Sequence, residues 1–470
     1  MYTGEVTNDN IRKIFQGAAD FNYRPLTCGA FTLYTYTIDG LIASGAASEY
    51  IFKPITEHLH APNMQALYDF ALKGMIYNAV AKPCKDLANI AMMLVNGFCV
   101  VLFPGVGALA FEVRTGQMRG PAAPEVENTV KGPKDAFVET IRTNTSLIRR
   151  HLRSPELRLF ETQVGRRSLT NVAVVYLEGI TNPELVEKMK KRLEEIDIDG
   201  LLSSSAVEEY VTGSRVTAFP LIQYTERTDR FCQGLLDGRV GLIVDGLPLG
   251  YLAPADLMYL MDSAEDRNRD FIVASALRIL RYLALCASLL LPGIYIALAT
   301  YHQSAIPLPM LRSLIESKQS VPFTTITEVL GLLIAFELLQ ESGIHLPQAV
   351  GQSVSVVGGI VVGTAAVEAG LVSPMALITV SIAGISGFVL PNRDLAEAVR
   401  VWRFAIGALA AVGGIYGVAA GALVLLIHLA GLRSLGIPYL SKTGKFVRPQ
   451  LKKLKMRNQK LNPLDRRNQK

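Results

Sequence analysis

Charge spacing divides the chain near residue 280. Before that point a Lys, Arg, Asp or Glu recurs every few positions. Beyond it residues 282–311, 342–367, 369–392 and 404–432 contain none. A bilayer core asks for about 20 mostly apolar residues per helix, so each run is long enough to cross. Backbone amides in hydrocarbon are satisfied only in a helix or a closed barrel. The runs show no two-residue alternation, so four clear spanning helices are expected. A soluble alternative would need four long helices, apolar all round, gathered near one end.

A fifth segment, 324–339, is apolar at most positions but carries Glu328 and Glu337, with Glu341 just beyond. At 100° per residue Glu328 lies about 180° from Glu337, and Glu341 about 40° from it, so the acids form no single stripe. Two readings stay open. One is a bundle helix whose carboxylates face an aqueous path or a neighbouring subunit. The other is an interfacial or re-entrant helix with its acids in headgroup water.

The first 280 residues read as mixed α/β in two lobes. Residues 99–103, a turn at 104–107 and 108–114 predict a hairpin. Gly105, Gly107 and Ala110 superficially match a dinucleotide fingerprint, which requires a helix next, whereas Phe111-Glu112-Val113-Arg114 alternates like a strand. Residues 120–126, with Pro121 and Pro124, mark the lobe boundary. A helix over 135–153 holds Arg142, Arg149, Arg150 and Arg153; its mixed charge favours a solvated face or a salt-bridge network between lobes over a phosphate site. A strand at 171–177 follows, then a helix capped by Asn182 with Pro183 at its first position, running to Ile196, and a strand at 240–244. The expected organisation is a soluble two-lobed α/β N-terminal region (1–125 and 126–275), an all-α transmembrane bundle (276–440) with one Glu-bearing membrane-associated helix beside its four spans, and a basic tail (441–470).

Composition agrees. With 470 residues, 19% of them charged, and a mean hydropathy of +0.29, a disordered or nucleic-acid-coating chain is excluded. Residues 442–470 hold 11 of the 47 basic residues and one of the 41 acidic ones, leaving 36 against 40 elsewhere. Such a tail belongs on the cytoplasmic side, as does a large N-terminal region whose polar opening lacks a secretory signal. It reads as a topology anchor, or as a surface for anionic headgroups. Two ends on one side require an even number of crossings. A four-span count leaves Arg393, Arg400 and Arg403 outside; adding the Glu-bearing helix strands the tail instead, so the individual crossings stay open. The small residues of 351–366 and 407–421 read as helix packing sites, with a pore lining as the alternative.

Catalytic chemistry is not indicated. There is no Walker sequence, no His-Glu-x-x-His and no nucleophile elbow. Of the six histidines only His58 and His60 are close in sequence, and the five cysteines include no Cys-x-x-Cys. No enzyme activity, cofactor, metal or nucleic-acid partner is expected.

Several strings together resemble the A subunit of GerA-type spore germinant receptors. They are Lys-Gly-Pro-Lys-Asp-Ala-Phe-Val-Glu at 131–139, Ile-Arg-Thr-Asn-Thr-Ser-Leu-Ile-Arg-Arg at 141–150, Val-Gly-Leu-Ile-Val-Asp-Gly at 240–246 and Ser-Ala-Glu-Asp at 263–266. Further along come Val-Pro-Phe at 321–323, Phe-Glu-Leu at 336–338 with Gly343, Ala-Ala-Val-Glu-Ala-Gly at 365–370, and Gly-Ile-Pro-Tyr-Leu at 436–440. The resemblance runs from about Asp39 to Leu440. Thr324 and Thr325 depart from it where the family often has another proline or serine, and the tail is longer than usual.

The resemblance implies a multi-pass subunit of the spore inner membrane, or cell membrane, with N-terminal region and tail in the cytoplasm. It implies a transporter-like B subunit and a lipoprotein C subunit as partners, membrane lipid around the helices, and a homo-oligomer that conducts cations when nutrient binds. Acidic groups near a pore concentrate cations, and apolar constrictions close by dewetting. On that footing Glu328, Glu337 and Glu368 are candidates for cation attraction, and Val354, Val357 and Val361 for the constriction. The alternatives are an A-subunit paralogue that accompanies the dipicolinic acid release channel, a secondary transporter, or a non-conducting scaffold.

Overall fold

The structure, a computed structural model, describes residues 4–57, 61–73, 81–113, 124, 127, 132–201, 203–213, 217–345 and 363–440. Its first sheet is built from β1 (Phe21–Cys28), β2 (Phe31–Ile38), β3 (Ala81–Cys84), β4 (Phe98–Phe103) and β5 (Gly107–Glu112), in the order β1-β2-β4-β5-β3. Alternation decides which side chain enters which core. Phe98, Val100 and Leu102 of β4 join Ala108 and Ala110 of β5 beneath the helices Asn8–Ile14 and Leu87–Val95. Cys99, Val101 and Phe103 join Leu109 and Phe111 on the other face, against Ile51, Ile55 and Leu67. The expected hairpin is therefore β4–β5. Gly105 supplies its turn at φ 79°, and a strand rather than a helix follows.

The second sheet comprises β6 (Leu157–Val164), β7 (Thr170–Leu177), β8 (Gln223–Thr225), β9 (Val240–Val244) and β10 (Gly250–Ala253), in the order β6-β7-β9-β10-β8. Helices Pro183–Glu194 and Ser204–Thr212 cover one face, Ile141–His151 and Thr228–Leu236 the other. The Asn182 cap forms as expected, its Oδ1 accepting from the Glu184 amide at 3.0 Å. All named strand pairs in both lobes are antiparallel. The mixed α/β content is thus layered helix, sheet, helix without parallel crossovers.

The arginine-rich helix is a seam between the lobes. Arg149 donates from Nε and Nη2 to the Asp20 carboxylate at 2.7 and 2.8 Å, both side chains no more than 1% exposed. Arg142 lies 3.4 Å from Asp39 and 2.8 Å from Glu161, and Arg158 donates to the Ile14 carbonyl at 2.9 Å.

From Phe271 to Gly431 the described residues are mostly helical. Two helices among the described residues, Phe271–Thr300 and Arg393–Gly431, are long and apolar enough to cross a bilayer, by length and composition. The four-span expectation is corrected to that extent. The run 369–392 yields the shorter helix Pro374–Phe388, and the run 342–367 lies mostly outside the described residues. The Glu-bearing segment is a 21-residue helix, Thr325–His345.

A second correction concerns 404–432, expected as a single span. Gly414 adopts φ 56° and ψ −135° inside that helix, and the chain doubles back. Leu395 and Val399 share one cluster with Leu425 and Leu429, and Ile406 and Ala410 share another with Val418. A Cβ on Gly417 would sit 2.0 Å from the Leu409 carbonyl oxygen, so only glycine lets the arms 393–413 and 415–431 touch. The arms are about 31 and 25 Å long at 1.5 Å per residue.

This helical body is seated on the second lobe at both of its chain ends. Arg281 grips Asp266 at 2.7 Å near the start of Phe271–Thr300. Near the finish, Ser434 Oγ accepts from the Ala255 amide at 3.2 Å, and Leu257 donates to the Tyr439 carbonyl. Asn392 Nδ2 donates to Gln223 Oε1 at 3.0 Å, both buried. The opposite end of the body is marked by Tyr301, whose hydroxyl donates to the Ala411 carbonyl at 2.6 Å beside the Gly414 turn.

Candidate functional site

Helix Thr325–His345 turns its two interior carboxylates to different neighbours, as their nine-residue spacing requires. At the end of the bundle remote from the lobes, Glu328 is 2% exposed. Its Oε2 lies 3.3 Å from Lys318 Nζ, and its Oε1 accepts from the Ser373 amide. Ser373 in turn caps Pro374–Phe388 through a hydrogen bond from the Ala376 amide to its Oγ. One carboxylate thereby ties together three helices: Leu308–Lys318, its own and Pro374–Phe388.

Nine residues on, about 13 Å nearer the lobes, Glu337 accepts from Arg400 Nη1 and from Arg403 Nη2, both at 2.9 Å. Arg400 also donates to Gln340 Oε1 at 2.5 Å and lies 3.4 Å from Glu397. Arg403 is 1% exposed. Removing one partner from such a pair leaves a buried charge uncompensated, which costs more than the pair itself contributes. The two locks therefore fix one relative placement of the helices and would release it together with their cations.

Among the described candidates, Glu328, Glu337 and Glu368, the structure brings no two together. Glu328 and Glu337 belong to separate locks, and Glu368 is exposed. Glu368 precedes Gly370, whose Cβ would meet the Ser320 carbonyl oxygen at 3.1 Å, at the Glu328 end. Val354, Val357 and Val361 lie outside the described residues, as do His58, His60 and the basic tail. Sequence reasoning missed Lys318, Arg400 and Arg403 as partners. The arginines sit three residues apart, which places them on one helix face, but nothing in one sequence says which acid 63 or 66 positions away they meet.

The second lobe holds a further cluster that sequence did not indicate. His151 Nε2 is 2.6 Å from Asp135 Oδ2, and Thr228 Oγ1 lies 2.6 Å from that oxygen and 3.1 Å from the same imidazole nitrogen. In a hydrolytic triad the carboxylate and the nucleophile occupy opposite ring nitrogens; here both contend for Nε2, so the cluster is a structural clasp. The His151 hydrogen bond, with help from Thr228 and against partial burial, holds the Asp135 carboxyl down to about 2. No group of three or more His, Cys, Asp or Glu suited to a metal ion occurs among the described residues.

Comparison with known proteins gives concordant matches. Residues 9–469 match the family model described as Bacillus/Clostridium GerA spore germination protein. The chain is 33% identical to the "Uncharacterized membrane protein YfkQ" of Bacillus subtilis (strain 168), over 96% of this chain and 88% of that one. It is 35% identical to "Spore germination protein KA" of the same organism, over 87% and 75%, and 36% identical to its "Spore germination protein A1", over 78% and 76%. Among solved structures it is similar to the N-terminal domain of the A subunit of the Bacillus megaterium spore germinant receptor GerK3, with 28% identity, a TM-score of 0.41, and coverage of 52% of this chain and 92% of that one.

Proposed function

The chain belongs to the GerA family of Bacillus/Clostridium spore germination proteins, and from that premise we propose that it is a multi-pass membrane subunit of a spore nutrient receptor, assembling with copies of itself into a nutrient-gated cation path. Its partners in this reading are the transporter-like B subunit and the lipoprotein C subunit implied by the family resemblance. The regions 1–125, 126–275, 276–440 and 441–470 act as two soluble lobes, membrane body and basic tail.

The observation that carries the proposal is the coupling of lobes to helices. The helical body begins and ends on the second lobe, so a displacement of that lobe is transmitted to both ends. An even number of crossings follows, and the turn at Gly414 keeps Arg393, Arg400 and Arg403 on the lobe side, where a cytoplasmic location satisfies the positive-inside rule. A signal moves such a gate only through differential affinity for its two states, about 5.5 kcal/mol for a full 1:99 to 99:1 reversal. The Glu328 and Glu337 locks are of a size to define those states. Glu368 is the candidate with direct access to water; Glu328 and Glu337 join it once Lys318, Arg400 and Arg403 move away. Val354, Val357 and Val361 remain the proposed constriction.

The neutralised state of Glu328 and Glu337 also favours a second reading, a scaffold that docks other membrane subunits and conducts nothing. Purified full-length protein in a planar bilayer separates the two. Stepwise currents reversing near the potassium equilibrium potential support conduction, with selectivity reduced in Glu368→Gln. Silence under every condition supports the scaffold.

A further inference from the structure

A cavity of about 670 Å³ opens between helices Thr325–His345, Pro374–Phe388 and Arg393–Gly431. Its walls are apolar, with Leu332, Phe336, Leu377 and Phe388, and its polar side carries Arg393, Arg400 and Arg403. Gly384 lets Phe336 close one wall, since a Cβ there would meet that ring at 2.4 Å.

Three guanidinium groups, Arg393, Arg400 and Arg403, gather on the polar side, with Glu337 and Glu397 at 2.9 to 3.4 Å and Asp394 acting on Arg393 from further off. Arg403 is 1% exposed, and its Nε is buried with no hydrogen-bond acceptor among the described residues. A buried, charged donor without an acceptor is costly, and here it belongs to a side chain lining the cavity. A buried donor without an acceptor among three guanidinium groups, with an apolar wall on the same cleft, asks for an anion carrying hydrocarbon.

We propose that this cavity binds an acidic glycerophospholipid, with its phosphate against Arg393, Arg400 and Arg403 and an acyl chain along Leu332, Phe336, Leu377 and Phe388. Basic pockets between membrane helices on the cytoplasmic side recognise anionic headgroups in this way. The site shares Arg400 and Arg403 with the Glu337 lock. A bound phosphate competes with Glu337 for both guanidinium groups, so lipid occupancy bears on how firmly that lock is held. The inference rests on the helices lying in a bilayer and is independent of conduction.

The test titrates full-length protein in detergent micelles with phosphatidylglycerol, phosphatidylcholine or inorganic phosphate and follows the thermal unfolding midpoint. A saturable rise with phosphatidylglycerol alone is expected. Arg393→Gln, which spares Glu337, should weaken the apparent affinity roughly fivefold. Ser381→Trp, which fills the cleft from helix Pro374–Phe388 and removes no ion-pair partner, should abolish the shift while its lipid-free midpoint stays that of the parent. An equal rise with phosphatidylcholine overturns the proposal, because lipid solvation is then unspecific. A rise with phosphate alone overturns it in favour of a free-anion site, and an unchanged response in both variants places the lipid elsewhere. A chain extracted from membranes by alkali would instead sink the membrane reading, so the two failures are told apart.

Discussion

At the scale of single residues, buried ion pairs are the clearest determinants. Arg149 and Asp20 are both inaccessible and doubly hydrogen-bonded, so Arg149→Ala strands a carboxylate between the lobes. The expected loss is about 3–5 kcal/mol of folding free energy, read as a lowered urea midpoint for the two lobes; a change below about 1 kcal/mol would contradict the seam. Glu337→Gln leaves Arg400 and Arg403 facing each other and should destabilise the helical body by a similar amount, whereas Glu337→Asp should recover part of it. The Asp135 carboxyl, held at about 2 chiefly by His151, gives a pH-dependent term. Its folded value lies below its unfolded value near 4, so the contribution is present above about pH 4 and is lost as pH falls through 2. The clasp is partly exposed, which limits the effect to the order of 2 kcal/mol. Midpoints at pH 5 and pH 2.5 should therefore differ less in Asp135→Asn than in the parent. None of these pairings was legible in the sequence. Arg149 stands out as one of several arginines on a mixed-charge helix, but Asp20 lies 129 positions away.

At the scale of elements, alternation and capping did much of the work. The hairpin of β4 and β5, the strand β9 and the Asn182-capped helix follow from local pattern, because each buries the faces its own periodicity defines. The apolar run 404–432 did not yield its shape, because hydropathy records how much hydrocarbon surface a segment has and not where it reverses. The signal was present in Gly413, Gly414, Gly417 and Gly421, whose spacing also suits an ordinary close helix contact. Cross-linking separates a hairpin from a straight rod. In a Cys286→Ser background, Ile406→Cys with Gly421→Cys should oxidise readily, since a Cβ at 421 sits 3.5 Å from the Ile406 Cα; a straight helix would hold the two about 22 Å apart. Failure to cross-link in the folded protein would contradict the turn. Gly417→Leu should unseat the arms altogether and lower the yield of membrane-inserted protein.

At the scale of the whole molecule, two lobes with antiparallel sheets and a helical body form one connected object, tied through Arg149 to Asp20 and through Asn392 to Gln223. Charge spacing alone marks a change of composition near residue 280. Sequence counted 404–432 as one run, whereas the structure folds it back at Gly414. With the turn at Gly414 the arginines near 393–403 and both chain ends of the helical body share the lobe side. The account therefore stands or falls on residues beyond 270 being dissolved in lipid. The most direct measurement is to wash membranes containing the full-length protein at alkaline pH without detergent and assay pellet and supernatant. The account predicts that the intact chain stays with the pellet. Intact chain in the supernatant would contradict it and would remove conduction, subunit docking in the bilayer and the lipid cleft together.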